Sequence, residues 1–234
     1  MKKNLILTAG IAAACSLAVI AQEKSGLQVS ADEQKTLTPD VVLTDLMEGN
    51  GRYVKGELSD PNVLPRIVAG NDGQFPKAFI LSCIDSRVPV EQVFDQGLGD
   101  IFVGRVAGNI ENTDQLGSME FAAKVAGVKL ILVLGHEACG AVKGACDHVE
   151  LGNITSLLAN VKPAIDEVDD AFAEDTRNSS NKEFVDKVIA QNVKQTVEDV
   201  RERSEILSEM EKAGEIKIVG AVYSLKDGSV KLVD

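Results

Sequence analysis

Apolar positions fall into three continuous runs and several helical stripes. Residues 77–83 (KAFILSC), 100–105 (DIFVGR) and 129–135 (KLILVLG) are the runs, the first following Pro76. Such runs predict strands covered on both faces. Between the second and third, residues 113–126 place Leu116, Met119, Ala123 and Ala126 on one side of a helix. Strand, helix and strand in this order call for right-handed crossovers and a parallel sheet. Upstream, Thr38-Pro39-Asp40 offers a cap, a proline at the first helical position and an acid in the first turn, predicting a helix over residues 40–53. After Ile154 the chain turns helical and charged. Phe184, Val188, Val193, Val197, Val200, Ile206, Leu207 and Met210 recur at helical spacing in a stretch ending near Gly214. Residues 216–225 and 230–233 flank Lys226-Asp227-Gly228 and predict strand, tight turn, strand. The charge-rich residues 166–181 predict a surface loop. No internal repeat is visible. The pattern as a whole predicts one α/β domain over residues 38–234: a mostly parallel central sheet flanked by helices, with a C-terminal antiparallel edge hairpin.

Residues 1–21 follow a different rule. Lys2 and Lys3 precede an apolar run, and Val19-Ile20-Ala21 offers small residues at a cleavage point, the pattern of a secretory signal peptide. A retained anchor and a lipid on Cys15 are the alternatives. The alanine-rich run and the lack of a basic stop-transfer favour cleavage after Ala21, and so a periplasmic or secreted protein without a membrane attachment. Residues 22–37 are polar, lack periodicity and predict a mobile leader. Cleavage removes two lysines and no acid, taking the formal charge from −12 to −14 and leaving three of the four cysteines. So acidic a chain is a poor partner for nucleic acid, which is held mainly through Lys and Arg. An odd thiol count in an oxidising compartment does not suit a simple disulfide framework, which brings metal ligation forward.

Two short motifs end two of the predicted strands: Cys83-Ile84-Asp85-Ser86-Arg87 and His136-Glu137-Ala138-Cys139, the latter followed by Gly140. Ligands of open parallel sheets bind just outside such strand ends. If the two strands adjoin, Cys83, His136 and Cys139 converge, and two thiolates with one imidazole suit Zn²⁺ with one position left open. The residues alone also allow Cys83 as a small buried hydrophobe, a Cys83–Cys139 disulfide, or thiol catalysis activated by His136. For Asp85 and Arg87 the plain alternative is a surface ion pair.

The two motifs in this order resemble the β-class carbonic anhydrases. Arg105-Val106-Ala107-Gly108-Asn109, Gln191-Asn192-Val193 and Gly220 with Tyr223 extend the resemblance over almost the whole chain after residue 21. It implies zinc-dependent, reversible hydration of CO₂ to bicarbonate and a proton. In that family Cys83, His136 and Cys139 would hold one Zn²⁺ per chain. Arg87 would keep Asp85 off the metal, leaving it to orient a zinc-bound hydroxide. Gln74, Phe102, Phe121 and Gly140 fall where the family contacts substrate or walls the CO₂ pocket. Those walls are shared between subunits, so a homodimer is the implied minimum. Zinc with two thiolates and a neutral imidazole sums to zero charge, so hydration is expected to rise through mildly alkaline pH. Some bacterial members switch off when the Asp caps the zinc, through a second site built around a Trp. This chain has no Trp and carries Gln74, so the open form is expected. Val106 departs from the family's usual Asn and puts the hydrogen bonding of that loop in question. Cys146 is expected to be buried and inert, and His148 exposed, with a proton relay as its alternative. Competing readings are a related zinc hydrolase acting on CS₂ or carbonyl sulfide, and a non-enzymatic zinc-binding protein.

Overall fold

Residues 28–233, apart from residue 72, are described in a computed structural model. The predicted signal peptide and its alternatives lie outside the described residues. Five strands form one sheet: β1 (Ala78–Ser82), β2 (Ile101–Arg105), β3 (Leu130–His136), β4 (Lys217–Tyr223) and β5 (Val230–Val233). Their order is β2-β1-β3-β4-β5, parallel throughout except for the antiparallel β4–β5 edge pair. The three apolar runs thus become β1, β2 and β3, and the predicted hairpin becomes β4 and β5.

Every residue of β1 and β3 is buried, whereas β2, at the edge, is half-covered. Side chains alternate between two layers, as a strand period of two requires. On one face Phe79, Leu81, Ile131, Val133 and Ile218 pack with residues of α5 (Thr113–Glu120), α9 (Lys182–Arg203) and α10 (Glu205–Lys212). On the other, Ile80, Leu130, Leu132 and Leu134 pack with α2 (Pro39–Lys55) and α4 (Val90–Val93). Helix α2 starts as predicted: Thr38 caps it, accepting from the amide of Val41, with Pro39 at its first position. A third cluster joins Cys83 and Cys139 to α6 (Gly140–Cys146), α7 (Gly152–Leu158), α8 (Lys162–Asp169) and α9, and so floors the ends of β1 and β3.

Four local expectations need correction. Residues 31–36, read as part of an irregular leader, form α1 (Ala31–Thr36), where Ser30 and Glu33 make a capping box. Six residues are too few for periodicity to register, and the signal lies in the cap instead. Gln34 of this helix is buried and donates to the carbonyls of Pro76 and Ala126. The single helix predicted over 113–126 ends its α-helical part at Glu120 and continues as a π turn over Phe121–Val125. The loop predicted over 166–181 is helical at its start, in α8, and again at Glu174–Thr176. Finally, Ser204 divides the long helical stretch, its hydroxyl accepting from Leu207 N–H to start α10. This break turns Ile206 out to solvent, although its spacing had placed it on the apolar stripe.

Asp95 ties α2 to the loop after α4. Its carboxylate accepts from Arg52 and from both the amide and the hydroxyl of Ser59. Burial pushes this carboxyl up, but those donors outweigh it and hold it below the ordinary range. A depressed folded value means the stabilisation is complete above the unfolded value, near pH 4, and is lost as pH falls through the folded one. Urea unfolding of Asp95→Asn should show a loss of about 1–3 kcal/mol at pH 7. The gap to the parent should narrow progressively below about pH 4; an equal gap at both ends of that range would contradict this account.

Candidate metal centre

Parallel pairing of β1 with β3 sets Ser82 opposite Leu134, so Cys83 emerges beside the Gly135-His136 end of β3. Cys139 follows at the head of α6, after a turn in which Ala138 takes a left-handed conformation (φ +52°). Cys83 Sγ, Cys139 Sγ and a ring nitrogen of His136 lie within 4.8 Å of one another, and all three residues are buried. The sulfurs are 3.9 Å apart and both thiols are free, far beyond the roughly 2.05 Å of a disulfide. Two Zn–S bonds of about 2.3 Å in a tetrahedron place their sulfurs about 3.8 Å apart. His136 Nδ1 lies 2.9 Å from the carbonyl of Glu137. That carbonyl can only accept, so Nδ1 carries the proton and Nε2 presents its lone pair. Nε2 is buried and has no hydrogen-bond partner among the described residues. An orphaned buried imidazole nitrogen facing two unbonded sulfurs fits a soft divalent cation.

Glu137 braces this turn from three sides. Besides accepting from the imidazole, it donates its amide to Tyr223 O, and its carboxylate accepts from Ser224 Oγ and Leu225 N. The two thiols share a hydrogen bond across their 3.9 Å separation. That bond, against the opposing pull of burial, holds the Cys83 thiol well below its ordinary value and pushes Cys139 upward.

Asp85 and Arg87 form a two-point pair, Nε to Oδ1 at 2.9 Å and Nη2 to Oδ2 at 2.7 Å, and the amide of Arg87 also reaches Oδ1. The Arg87 side chain beside it holds the Asp85 carboxyl well below the usual carboxylate range. Asp85 Oδ2 stands 3.8 Å from His136 Nε2, at the mouth of the donor cluster. Arg105, at the end of β2, donates at 2.8 Å to the carbonyls of Cys83, Asp85 and Val88 and so pins the whole turn. Val106 leaves this loop intact: its amide donates to Ser82 O and its side chain packs between two core clusters.

The remaining candidates lie apart. Gln74 is exposed on the loop before β1, and Gly140 is exposed at the first position of α6. Phe102 and Phe121 meet at 6.5 Å between ring centroids. They line a groove with Phe79, Thr113 and Asp114 whose walls include none of the three metal donors. Phe121 is 52% exposed. Cys146 is buried, its thiol pushed up to about 12 by burial, and His148 is exposed. Arg105 and the acid of Glu137 stand inside motifs without an assigned role, because their partners are mostly main-chain carbonyls and amides, which leave no side-chain pattern to read.

A parallel α/β sheet with two thiols and an imidazole gathered at adjoining strand ends defines a metalloenzyme architecture. The carbonic anhydrase family model matches residues 78–230. The chain is 39% identical over 190 residues to carbonic anhydrase 2 of Mycobacterium tuberculosis, covering 81% of this chain and 90% of that protein. It is 38% identical over 188 residues to a carbonic anhydrase of Mycolicibacterium smegmatis, covering 80% and 89%. In fold it is similar to the tetrameric β-carbonic anhydrases of Sordaria macrospora (TM-score 0.62, 24% identity, 82% of this chain and 94% of that one). The Coccomyxa β-carbonic anhydrase in complex with acetazolamide is another such neighbour (TM-score 0.59, 24% identity, 94% and 86%). The chain belongs to the β-class carbonic anhydrase family. It is a carbonic anhydrase, and the general reaction of its family is the hydration of carbon dioxide.

Proposed function

We propose that this carbonic anhydrase is a zinc enzyme, with Zn²⁺ held by Cys83, His136 and Cys139 and turnover of CO₂ and bicarbonate directed by Asp85 and Arg87. The observation that carries this reading is the buried, unpartnered Nε2 of His136, facing two unbonded sulfurs with a carboxylate oxygen 3.8 Å away. When bound, zinc supplies a Lewis acid that lowers the pKa of water enough to give a nucleophile, less strongly with two thiolates than with three imidazoles. The chain's own residues then direct the reaction. Arg87 keeps both carboxylate oxygens engaged, so Asp85 stays ionised and stays off the metal. Asp85 accepts a hydrogen bond from the attacking water and turns its lone pair toward the carbon of CO₂. Arg105 fixes the main chain that carries both ligand and carboxylate. Glu137 fixes the imidazole tautomer.

Gln74, Phe102, Phe121 and Gly140 serve as substrate contacts completed by a second copy of the chain, as a homodimer or a larger homo-oligomer. The exposure of Gln74 and Phe121 in one chain supports this reading, as does the tetrameric state of the Sordaria relatives. The intact Asp85–Arg87 pair and the absence of Trp support the open form. The amino-terminal pattern supports export, to the periplasm or beyond. Purified protein should carry one zinc per chain. Stopped-flow CO₂ hydration should vanish with a strong chelator, return with zinc, and rise through mildly alkaline pH. A metal-free protein that stays active until a thiol alkylator stops it would overturn the proposal.

A further inference from the structure

Asn192 lies in the middle of α9, 2% exposed, on an element that contributes none of the metal donors. Its side-chain amide donates to the carbonyl of Gly108 at 2.8 Å. The N–H of the same Gly108 donates to Cys83 Sγ at 3.4 Å. Gly108 holds a left-handed conformation (φ +78°), and a Cβ there would come 3.4 Å from Cβ of Ala141. The positive φ is what favours glycine here, and glycine is also the residue least able to hold its own peptide planes in one orientation. An outside restraint is therefore needed, and Asn192 supplies one. Asparagine is a poor helix former, and buried it must find hydrogen-bond partners. Val188, Ile189 and Val193 of the same helix are buried too, and an aliphatic residue is the usual occupant of such a position. What an aliphatic residue could not do is reach the loop that touches the sulfur.

We infer that Asn192 is a positioning residue for the metal ligand Cys83: by fixing the Gly108 carbonyl it keeps the adjoining amide aimed at the sulfur. The amide orients one sulfur lone pair and draws density from the thiolate, leaving the other lone pairs directed at the cation. The inference rests on the zinc reading above and adds to it a residue two hydrogen bonds from the sulfur. Groups bonded directly to a metal ligand, as the Gly108 amide is, typically change metal affinity or activity by about 10–100-fold when they are lost, and Asn192 acts through that amide.

The test uses the full chain loaded with ¹¹³Cd as an NMR-active substitute for zinc. Scalar coupling between cadmium and the amide proton of Gly108 should be seen in the parent protein, transmitted through the N–H···S bond. It should weaken or disappear in Asn192→Ala and in the milder Asn192→Ser, and zinc should pass to a competing chelator roughly 10–100-fold more readily. Thr196→Val removes the neighbouring bond to Asn192 O without touching Gly108, and should leave the coupling in place. If cadmium couples to Cys83, Cys139 and His136 but not to Gly108, this inference falls and the zinc reading stands. Coupling and zinc retention that survive both Asn192 variants would equally overturn it. Cadmium that does not bind through those three residues would sink the zinc reading instead.

Discussion

Asp85→Asn should keep one zinc per chain and lose about 10²–10³-fold in kcat for CO₂ hydration. The substitution preserves shape and volume but leaves a single acceptor where Arg87 now engages two oxygens. The amide either keeps its oxygen toward the cluster, where it gives up the Nε arm and accepts more weakly than a carboxylate, or turns its NH₂ there and cannot accept at all. Zinc should stay because Asp85 Oδ2 stands 3.8 Å from His136 Nε2 and is not counted among the donors. Metal analysis beside stopped-flow kinetics separates the two effects. Full turnover in the variant would remove the orienting role of Asp85, and loss of zinc would make it a structural support of the site instead.

The largest expected effect on stability lies at the opposite end of β2. On α3 (Val63–Gly70), Val63, Leu64, Ile67 and Val68 face outward while Arg66 is buried. Arg66 donates to Asp100 at 2.9 Å and to Leu98 O, and the two charged side chains are 9% and 8% exposed. Asp100→Ala leaves a buried guanidinium without its counter-charge, a change that costs about 3–5 kcal/mol. For a domain of this size that corresponds to a fall in Tm of roughly 10 °C. Zinc content and the hydration rate at 25 °C should not change, since Asp100 precedes β2 and Arg105, which pins the site, ends it. Replacing Arg66 and Asp100 together by apolar residues should recover much of the loss. A calorimetric shift of only a degree or two for the single variant would show that the pair contributes little.

These two sites differ in how far the sequence announced them. β1 and β3 were legible because strands covered on both faces must be apolar along their length, and the donors stood out as the polar residues ending those runs. Their convergence needed only that the two strands adjoin, which they do. α3 reads the wrong way round: its apolar residues are exposed and its one charge is buried, an inversion that depends on Asp100, 34 residues on. The corrections share a cause. Caps, π turns and breaks such as the one at Ser204 are settled by one or two hydrogen bonds, such as that from Ser204 to Glu120 Oε1. Hydrophobic spacing does not register events of that size. The bonds around the donors run largely through the main chain of Gly108, Glu137 and the Cys83 turn, so residue identity there carries little of the geometry.

The brace on Glu137 also bears on biosynthesis. The three candidate donors are all in the chain by residue 139, yet the groups that set the imidazole's neighbour in place are Tyr223, Ser224 and Leu225, with Ser224 lying 87 residues beyond Glu137. A nascent chain therefore presents two sulfurs and a ring, with the Cys83 turn already pinned by Arg105, before the support of Glu137 is in place. If Cys83, His136 and Cys139 hold the cation as proposed, chains cut short ahead of β4, which lack this support, should bind it less tightly than the full chain.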